Sequence, residues 1–404
     1  MQIDLKNIKN QFDNRSIAMD SLDPTQRAWI EVNGAAIESN IKQIRNLLKK
    51  DCKLMAVVKA DGYGHDATFV SKYAIRGGAD HLGVATLSEG ISLRNAGIKK
   101  PVLVLGNIYS KRDLLKCFQY DLMPTISSLR ECFICNNIGK KYQKEFPLHL
   151  KVDTGMCRLG FELKEFIDQF NKIKSCENIL IKGIYSHLAL ADEINALDQN
   201  SFTQIQKNKF QDLLKKIKIF RHPGITTHLA NSAGTLLSQD LHFDMVRVGL
   251  SMYGYNPLIN SEINISLQPA LFLKSKVTFI RSVKKNTGVS YGSSFITKRD
   301  TKLAVVSIGY ADGINRKLSN IISVIHNGKT YQQVGSITMD QLMIDITDSN
   351  DIKVGDTVIL LGKDGDKNIT PIDWALKSSS ITWEILCAFK NRLPRVKVNR
   401  HFDY

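Results

Sequence analysis

Short apolar runs alternate with amphipathic helical segments between residues 27 and 262. Runs rich in Val, Ile and Leu are typical of a parallel sheet buried on both faces, in which helices connect successive strands. Eight such runs occur, at residues 54–58, 81–85, 101–105, 122–126, 148–152, 181–187, 226–229 and 245–250. Helical patterns lie between them, at residues 67–75, 87–95, 111–120, 163–173 and 201–220. The pattern favours an α/β fold, a (β/α)8 TIM-like barrel, with a doubly wound open sheet as the alternative.

The pattern changes after residue 262, where the apolar runs tend towards a period of two residues. These runs lie at residues 271–281, 302–308, 321–326, 342–346 and 357–361, and Gly-containing turns separate them. The alternation indicates antiparallel strands, with one helix near 371–378 or 383–389. We therefore predict three regions, which are an N-terminal extension over 1–26, a barrel over 27–262 and a mainly antiparallel β domain over 263–404.

Composition excludes several classes of protein. The 404 residues are 43% hydrophobic and 23% charged, which fits a globular chain and not a disordered or collagen-like one. Basic residues exceed acidic ones by 55 to 39, but the lysines are scattered, so we expect a solvated basic surface and no nucleic-acid site. The sequence has neither a membrane-spanning apolar run nor a secretory signal, and we expect a cytoplasmic protein without membrane contacts.

Seven cysteines are spread along the chain, and only Cys132 and Cys135 have the C-x-x-C spacing. A zinc site would need a second such pair or a suitably spaced pair of histidines, and the sequence has neither. We therefore predict no metal site and expect the cysteines to be small buried side chains in a reducing compartment.

Lys59 directly follows the first apolar run of the predicted barrel. In such a barrel the active-site groups come from the carboxyl ends of the strands. On position alone two interpretations stay open. The side chain either extends its amine to water, or it presents a desolvated amine that forms a Schiff base or transfers a proton.

Residues 57–65 (VVKADGYGH) resemble the cofactor-lysine motif of the alanine racemases, which are pyridoxal-phosphate enzymes of fold type III. Further motifs resemble that family in the same order along the chain. They are KVDTGMCRLG at 151–160, SH at 186–187, HLANSA at 228–233, RVGL at 247–250, MYG at 252–254, GVSYG at 288–292, IGYADG at 308–313, MD at 339–340 and RLPR at 392–395. The resemblance spans residues 27–398, and the ordered set is far more specific than any one motif.

The resemblance implies interconversion of L- and D-alanine with pyridoxal 5'-phosphate, which would supply D-alanine for peptidoglycan. It implies that Lys59 binds the cofactor covalently and serves as one base, and that Tyr291 is the base on the opposite face of Cα. A phenol with a pKa of about 10 is a poor base at neutral pH. Tyr291 therefore needs hydrogen bonds and nearby cations, and the resemblance implies His187 as its partner, with Arg247 and His228 extending the network.

The resemblance also implies which residues bind the cofactor and the substrate. Arg247 would lie beside the pyridine nitrogen, where an arginine can only donate. Arg158 and the amide of Met339 would bind the substrate carboxylate. Lys151 matches a position that is carbamylated in some family members, where it orients the arginine. The implied cofactor contacts are Lys59, Tyr63, His187, Asn231, Ser232, Arg247, Trp383 and the backbone amides of Gly249 and Leu250, with Tyr310 and Asp340 in support. Asn231 and Ser232 fit a simple helix N-cap equally well.

Two positions depart from the family pattern. Trp383 stands where a tyrosine is usual, and Ser336 stands where an arginine is common before the Met339-Asp340 segment. A racemase of serine, or of a broader range of amino acids, is therefore an alternative. Tyr291 argues against a decarboxylase of basic amino acids, and the β domain argues against a non-catalytic pyridoxal-phosphate-binding protein. The family arrangement implies a homodimer whose composite sites combine the barrel of one protomer with the β domain of the other.

Overall fold

The computed structural model describes residues 26–258 and 265–399. The chain forms two compact units. The barrel unit covers Gly34–Ala270, and the β unit combines the chain up to Asn33 with Leu271–Asn399. All but the last residue of the extension predicted over 1–26 lies outside the described residues.

The strand β1 (Ala28–Asn33) belongs to the β unit, although the sequence analysis placed it at the start of the barrel region. It pairs antiparallel with a strand beginning at Leu271 and parallel with the strand Arg395–Val398. All six residues of β1 are buried, as the residues of a barrel strand commonly are. The barrel unit consequently begins at Gly34 and not at residue 27.

Eight parallel strands close into the barrel that the sequence predicts. They are β2 (Lys53–Val57), β3 (His81–Val84), β4 (Val102–Asn107), β5 (Met123–Ile126), β6 (Phe146–Lys151), β7 (Ile179–Tyr185), β8 (Thr226–His228) and β9 (Met245–Val248). The helices of this unit are α1 (Gly34–Leu47), α2 (Lys59–Gly64), α3 (Ala67–Arg76), α4 (Leu87–Asn95), α5 (Lys111–Gln119), α6 (Leu129–Tyr142), α7 (Leu163–Lys174), α8 (Phe202–Lys216) and α9 (Ser232–Leu237). Each predicted run coincides with one barrel strand, and the predicted fold class is confirmed.

Apolar side chains fill part of the barrel interior. Met55, Leu103, Met123, Tyr185 and Met245, from five different strands, pack into one buried cluster. Because all eight strands are parallel, their carboxyl ends lie at the same end of the barrel, where side chains can converge on a ligand.

Cys132 and Cys135 lie on α6 and are fully buried. Burial raises the pKa of both thiols well above its ordinary value. Both side chains are therefore protonated at neutral pH, as small buried hydrophobes are.

The β unit is built on a nine-stranded sheet and a separate two-stranded sheet. Its further strands are β10 (Leu271–Val283), β11 (Gly288–Val289), β12 (Phe295–Ile296), β13 (Thr301–Val306), β14 (Ser323–His326), β15 (Lys329–Val334), β16 (Leu342–Asp345), β17 (Thr357–Asp364), β18 (Lys367–Ile369) and β19 (Arg395–Val398). The large sheet has the order β18-β17-β14-β15-β16-β13-β10-β1-β19 and is antiparallel except where β1 meets β19. Both positions considered for a late helix are helical, as α10 (Pro371–Ser378) and α11 (Thr382–Cys387). Across 26–258 and 265–399, no helix is long and apolar enough to cross a membrane.

Candidate active site

Lys59 is partly buried and begins an unusual turn just after β2. The next four residues, 60–63, all have φ between +52° and +64°, so the backbone makes a left-handed turn. Residues other than glycine disfavour that conformation by about 1–2 kcal/mol each. Two carboxylates hold the turn, because Glu89 Oε1 accepts from the Ala60 amide at 2.7 Å and Asp61 Oδ1 accepts from the Ala67 amide at 2.9 Å.

Glu89 connects the Lys59 turn to the end of β3. Its Oε2 accepts from the amides of Ala85 at 2.7 Å and Thr86 at 3.1 Å, while its Oε1 reaches Ala60. Thr86 and Glu89 form a capping box at the start of α4. Glu89 was not predicted from the sequence, although a Thr followed three residues later by Glu is a visible capping signal. Its contact with Ala60 is not visible in the sequence.

Tyr63, Ser232 and Gly249 come together at the barrel end. A Cβ added at Gly249 would lie 2.5 Å from Tyr63 Oη, so only glycine allows this approach. Ser232 Oγ accepts from the Gly249 amide at 2.9 Å, and the neighbouring Leu250 is buried. Two hydroxyls thus lie beside one backbone segment, and each of them can donate to an anion such as a phosphate group.

Asn231 has a structural role in this segment. Its Oδ1 accepts from the Gly234 amide at 3.0 Å, as an N-cap of α9 does, and its Nδ2 donates to the carbonyl of Leu188 at 3.3 Å. The structure therefore supports the N-cap interpretation for Asn231. Of this pair, only the Ser232 side chain lies beside the Gly249 backbone and the Tyr63 hydroxyl.

Arg247 is buried at the end of β9 and is surrounded by neutral acceptors. Its Nη2, which carries two hydrogens, lies within hydrogen-bond distance of three acceptors, which are the carbonyls of Ser186 at 2.9 Å and Leu229 at 3.0 Å and Nδ1 of His187 at 2.9 Å. Its Nη1 donates to Nδ1 of His228 at 2.9 Å. Burial lowers the pKa of Arg247 to about 10, which leaves the guanidinium charged at neutral pH. The site is thus a buried cation bonded to groups that carry no negative charge.

Arg247 fixes the tautomers of the histidines because a guanidinium cannot accept a hydrogen bond. His228 therefore accepts at Nδ1 and carries its proton on Nε2, which donates to Nδ1 of His149 at 3.0 Å. By the same logic His149 carries its proton on Nε2, an atom that is buried without a hydrogen-bond partner among the described residues. His149 lies within an apolar strand, and nothing in its sequence context separates it from an ordinary core position.

Lys151 ends β6 and is buried. Its Nζ lies 5.4 Å from the ring centre of Tyr185. Burial, together with the charges of Arg247 and Arg158, lowers the pKa of Lys151 to about 8, and Lys59 acts in the same direction. Three cations therefore lie within electrostatic reach of Lys151, and such a concentration of positive charge suits anionic ligands.

The β unit presents its predicted site residues at the surface. The side chains are exposed to 73% for Tyr291, 52% for Met339 and 41% for Tyr310. The amide of Tyr310 donates to the carbonyl of Thr338 at 3.0 Å, which places Tyr310 beside the Met339 segment. Trp383 is partly buried on α11.

Ion pairs fix the segments that carry Met339 and Tyr310. Asp340 pairs with Arg392 at 2.6 Å. Asp312, fully buried, accepts from both terminal nitrogens of Arg27 at 2.5 and 3.1 Å and from the Gly309 amide at 2.9 Å. These bonds hold the turn that contains Tyr310 through Gly309 and Asp312.

Four buried or partly buried histidines predict the response of stability to acid. Burial lowers the pKa of His149 to about 3 and of His81 to about 4, and it lowers the pKa of His187 and His228 well below 6.5. Each takes up a proton on unfolding below pH 6.5, so the free energy of unfolding falls as the pH falls. Each contributes a slope of about 1.4 kcal/mol per pH unit. Urea unfolding between pH 4.5 and 6.5 measures the slope.

His149→Phe provides the matched comparison. The variant loses the acceptor for His228 and is less stable at every pH, but its slope is smaller than that of the unaltered chain by one proton. An unchanged slope would show that His149 is charged in the folded state and would contradict the neutral chain of histidines.

Comparisons with known proteins agree with this geometry. The chain matches the family model of the alanine racemase N-terminal domain over residues 32–257 and that of the C-terminal domain over residues 270–397. It is 55% identical over 383 residues to an alanine racemase of Prochlorococcus marinus, covering 95% of this chain and 99% of the relative. An alanine racemase structure from Clostridium difficile aligns with a TM-score of 0.84 at 34% identity, covering 93% of this chain and 96% of that one.

A second solved structure is described with a bound cofactor. The alanine racemase of Bartonella henselae, described with covalently bound pyridoxal phosphate, aligns with a TM-score of 0.81 at 29% identity and covers 92% of this chain and 100% of that one. Both domain models, a close relative and the solved structures thus agree with the barrel and the β unit described above. The chain belongs to the alanine racemase family of isomerases.

Proposed function

We propose that the chain interconverts L- and D-alanine with pyridoxal 5'-phosphate, using Lys59 and Tyr291 as bases on opposite faces of Cα. The observation that carries this proposal is the convergence at one barrel end of Lys59, the hydroxyls of Tyr63 and Ser232, and the buried Arg247. A covalently bound pyridoxal phosphate in the relative from Bartonella henselae supports the choice of cofactor.

The residues present fit this cofactor. Tyr63 and Ser232 would bind its phosphate together with the backbone at Gly249 and Leu250, at the point where a Cβ on Gly249 would collide with Tyr63. Arg247 would donate to the pyridine nitrogen and, being unable to accept, would hold that nitrogen unprotonated. When bound, the cofactor supplies an electron sink for the negative charge that develops on Cα.

The proton transfers belong to Lys59 and Tyr291. Lys59 would hold the cofactor and, once its amine is free, take or return the Cα proton on one face. Tyr291 would act on the other face, where a second proton donor turns simple exchange into inversion. Arg158 would form two parallel hydrogen bonds with the substrate carboxylate, together with the amide of Met339. Lys151 lies within electrostatic reach of Arg158. Carbamylation of Lys151, as in some family members, would replace its positive charge with a carboxylate that accepts from the guanidinium and orients it.

We propose that the active form is a homodimer in which Lys59 of one protomer faces Tyr291 of the other. Support comes from the exposure of Tyr291 and Met339, because side chains that do chemistry on a surface need a second surface to exclude water. Mixing Lys59→Ala and Tyr291→Phe proteins tests the arrangement. Refolded together, they are expected to recover about a quarter of the activity, since half of the dimers are mixed and each mixed dimer has one intact site. No recovery would argue against composite sites.

The substrate range is tested separately. We expect turnover of L-alanine to exceed that of L-serine and L-lysine, because the solved and curated relatives are alanine racemases. Faster turnover of serine would favour the alternative raised by Trp383 and Ser336. Product release as carbon dioxide, and not as the opposite enantiomer, would mark a decarboxylase. D-Alanine for peptidoglycan is the proposed use of the product, and the cytoplasmic location stays a prediction.

A further inference from the structure

Packing does not fix the position of Tyr291, whose side chain is 73% exposed. Its position depends on its backbone, and that backbone is strained. Ser290 has φ +64° and ψ −173°, Gly292 has φ +71° and Ser293 has φ +44°. The conformation of Ser290 lies in a region that residues other than glycine almost never adopt, and it persists only where surrounding bonds determine it.

Ser336 makes those bonds. Its Oγ donates to the carbonyl of Tyr291 at 2.9 Å, and its own carbonyl accepts from Ser290 Oγ at 2.7 Å. Its Oγ is also 3.0 Å from Ser294 Oγ, which donates because the Ser336 proton is already used. One nearly buried residue thus bonds to the residue before Tyr291, to Tyr291 itself and to the end of its turn.

A second layer holds Ser336 in place. Asn320 Nδ2 donates to Ser294 Oγ at 3.3 Å, while its Oδ1 accepts from the amide of Gly335 at 2.6 Å. Gly335 has φ +77°, and a Cβ there would lie 2.8 Å from the carbonyl of Val289. The close approach of the two segments therefore requires glycine immediately before Ser336, which leaves Ser336 little freedom to move away from the Tyr291 turn.

We propose that Ser336 is a positioning residue that aims Tyr291 at the substrate by clamping the strained turn from residue 290 to 294. The inference rests on the proposed catalytic role of Tyr291. An arginine, the residue common at this position in the family, cannot accept the bond from Ser294. The bond from Ser294 therefore depends on the serine at position 336.

The test compares Ser336→Ala with Ser336→Thr in the holoenzyme, in deuterium oxide. Ser336→Ala removes the Oγ bonds to Tyr291 and Ser294, and we expect the kcat of racemisation to fall about tenfold, the effect of one or two lost hydrogen bonds. Exchange of the Cα hydrogen should fall on the Tyr291 face and stay unchanged on the Lys59 face. Ser336→Thr keeps the hydroxyl and should restore both the kcat of racemisation and the exchange on the Tyr291 face. Ser323→Ala, which removes an exposed hydroxyl that bonds to Gln332 on the same sheet, is the control.

A readout without catalysis accompanies the kinetics. Amide hydrogen exchange of residues 288–296, followed by mass spectrometry, should be faster in Ser336→Ala than in the unaltered enzyme, while residues 357–364 keep their protection. Ser294→Ala keeps the bond from Ser336 Oγ to the carbonyl of Tyr291 and should show a smaller increase.

Two outcomes separate this inference from the proposed function. If Tyr291→Phe is impaired but Ser336→Ala matches the unaltered enzyme in exchange on both faces, the role of Ser336 is overturned and that of Tyr291 stands. If Tyr291→Phe racemises alanine at the full rate, the proposed function fails and the inference fails with it. An equal loss on both faces in Ser336→Ala would show a general structural defect and would also overturn the inference.

Discussion

Replacing Lys59 with alanine is expected to lower alanine racemisation by at least about 10⁴-fold, because one side chain both attaches the cofactor and moves a proton. Lys59 lies partly buried at the carboxyl end of β2, and Glu89 holds the turn that follows through the Ala60 amide at 2.7 Å. The fold should be little affected, since the side chain is only partly buried.

Borohydride reduction of the enzyme incubated with pyridoxal 5'-phosphate gives a direct measurement. Peptide mapping should find the reduced cofactor on Lys59 in the unaltered chain and no label in Lys59→Ala. Lys53→Ala is the matched control, because Lys53 begins the same strand at the opposite end of the barrel, where its amine meets Thr226 Oγ1 at 3.3 Å. A label on any other lysine of the unaltered chain would remove the basis of the proposed mechanism.

The barrel could be predicted from the sequence because its strands are local patterns. Val- and Leu-rich runs such as β4 carry the signal of a doubly buried strand within a few residues. Strand β1, whose sequence AWIEVN includes a Glu and an Asn, was not among the predicted apolar runs, and its partners begin at Leu271 and Arg395. Nothing in the sequence of a buried strand specifies which distant strand it joins, so its place in the β unit could not be predicted.

The residues of the candidate site also fall into two groups, those predicted from local sequence and those identified only by their contacts. Lys59, Arg247 and Tyr291 were predicted from motifs, whereas Glu89 and His149 became visible only through contacts 29 and 79 residues apart in the sequence. A buried histidine in an apolar strand and an acidic capping residue are common in any fold. Their importance here comes from what they touch, and that depends on the closure of the barrel.

Replacing Tyr291 with phenylalanine is expected to lower racemisation by about 10²–10⁴-fold, the contribution typical of one positioned acid or base. The variant loses only the hydroxyl, and the side chain is 73% exposed in the chain, so stability should change little. Lys59 is untouched, so the reduced cofactor should still be found on it. Tyr331→Phe is the control, because Tyr331 Oη bonds to Ser349 Oγ at 2.9 Å elsewhere in the same unit.

Exchange of the Cα hydrogen in deuterium oxide separates a two-base mechanism from a one-base mechanism. With Tyr291 removed, Lys59 still reaches one face, so one enantiomer of alanine should exchange its Cα hydrogen without inverting while the other exchanges very slowly. Lys59→Ala should lose exchange of both enantiomers, because no covalent attachment of the cofactor remains. If Tyr291→Phe lost exchange of both enantiomers equally, Tyr291 would be needed for binding or assembly and would not be a base. If it kept both, a group other than Tyr291 would protonate the second face, and the exposed position of Tyr291 would have to serve the contact between protomers alone.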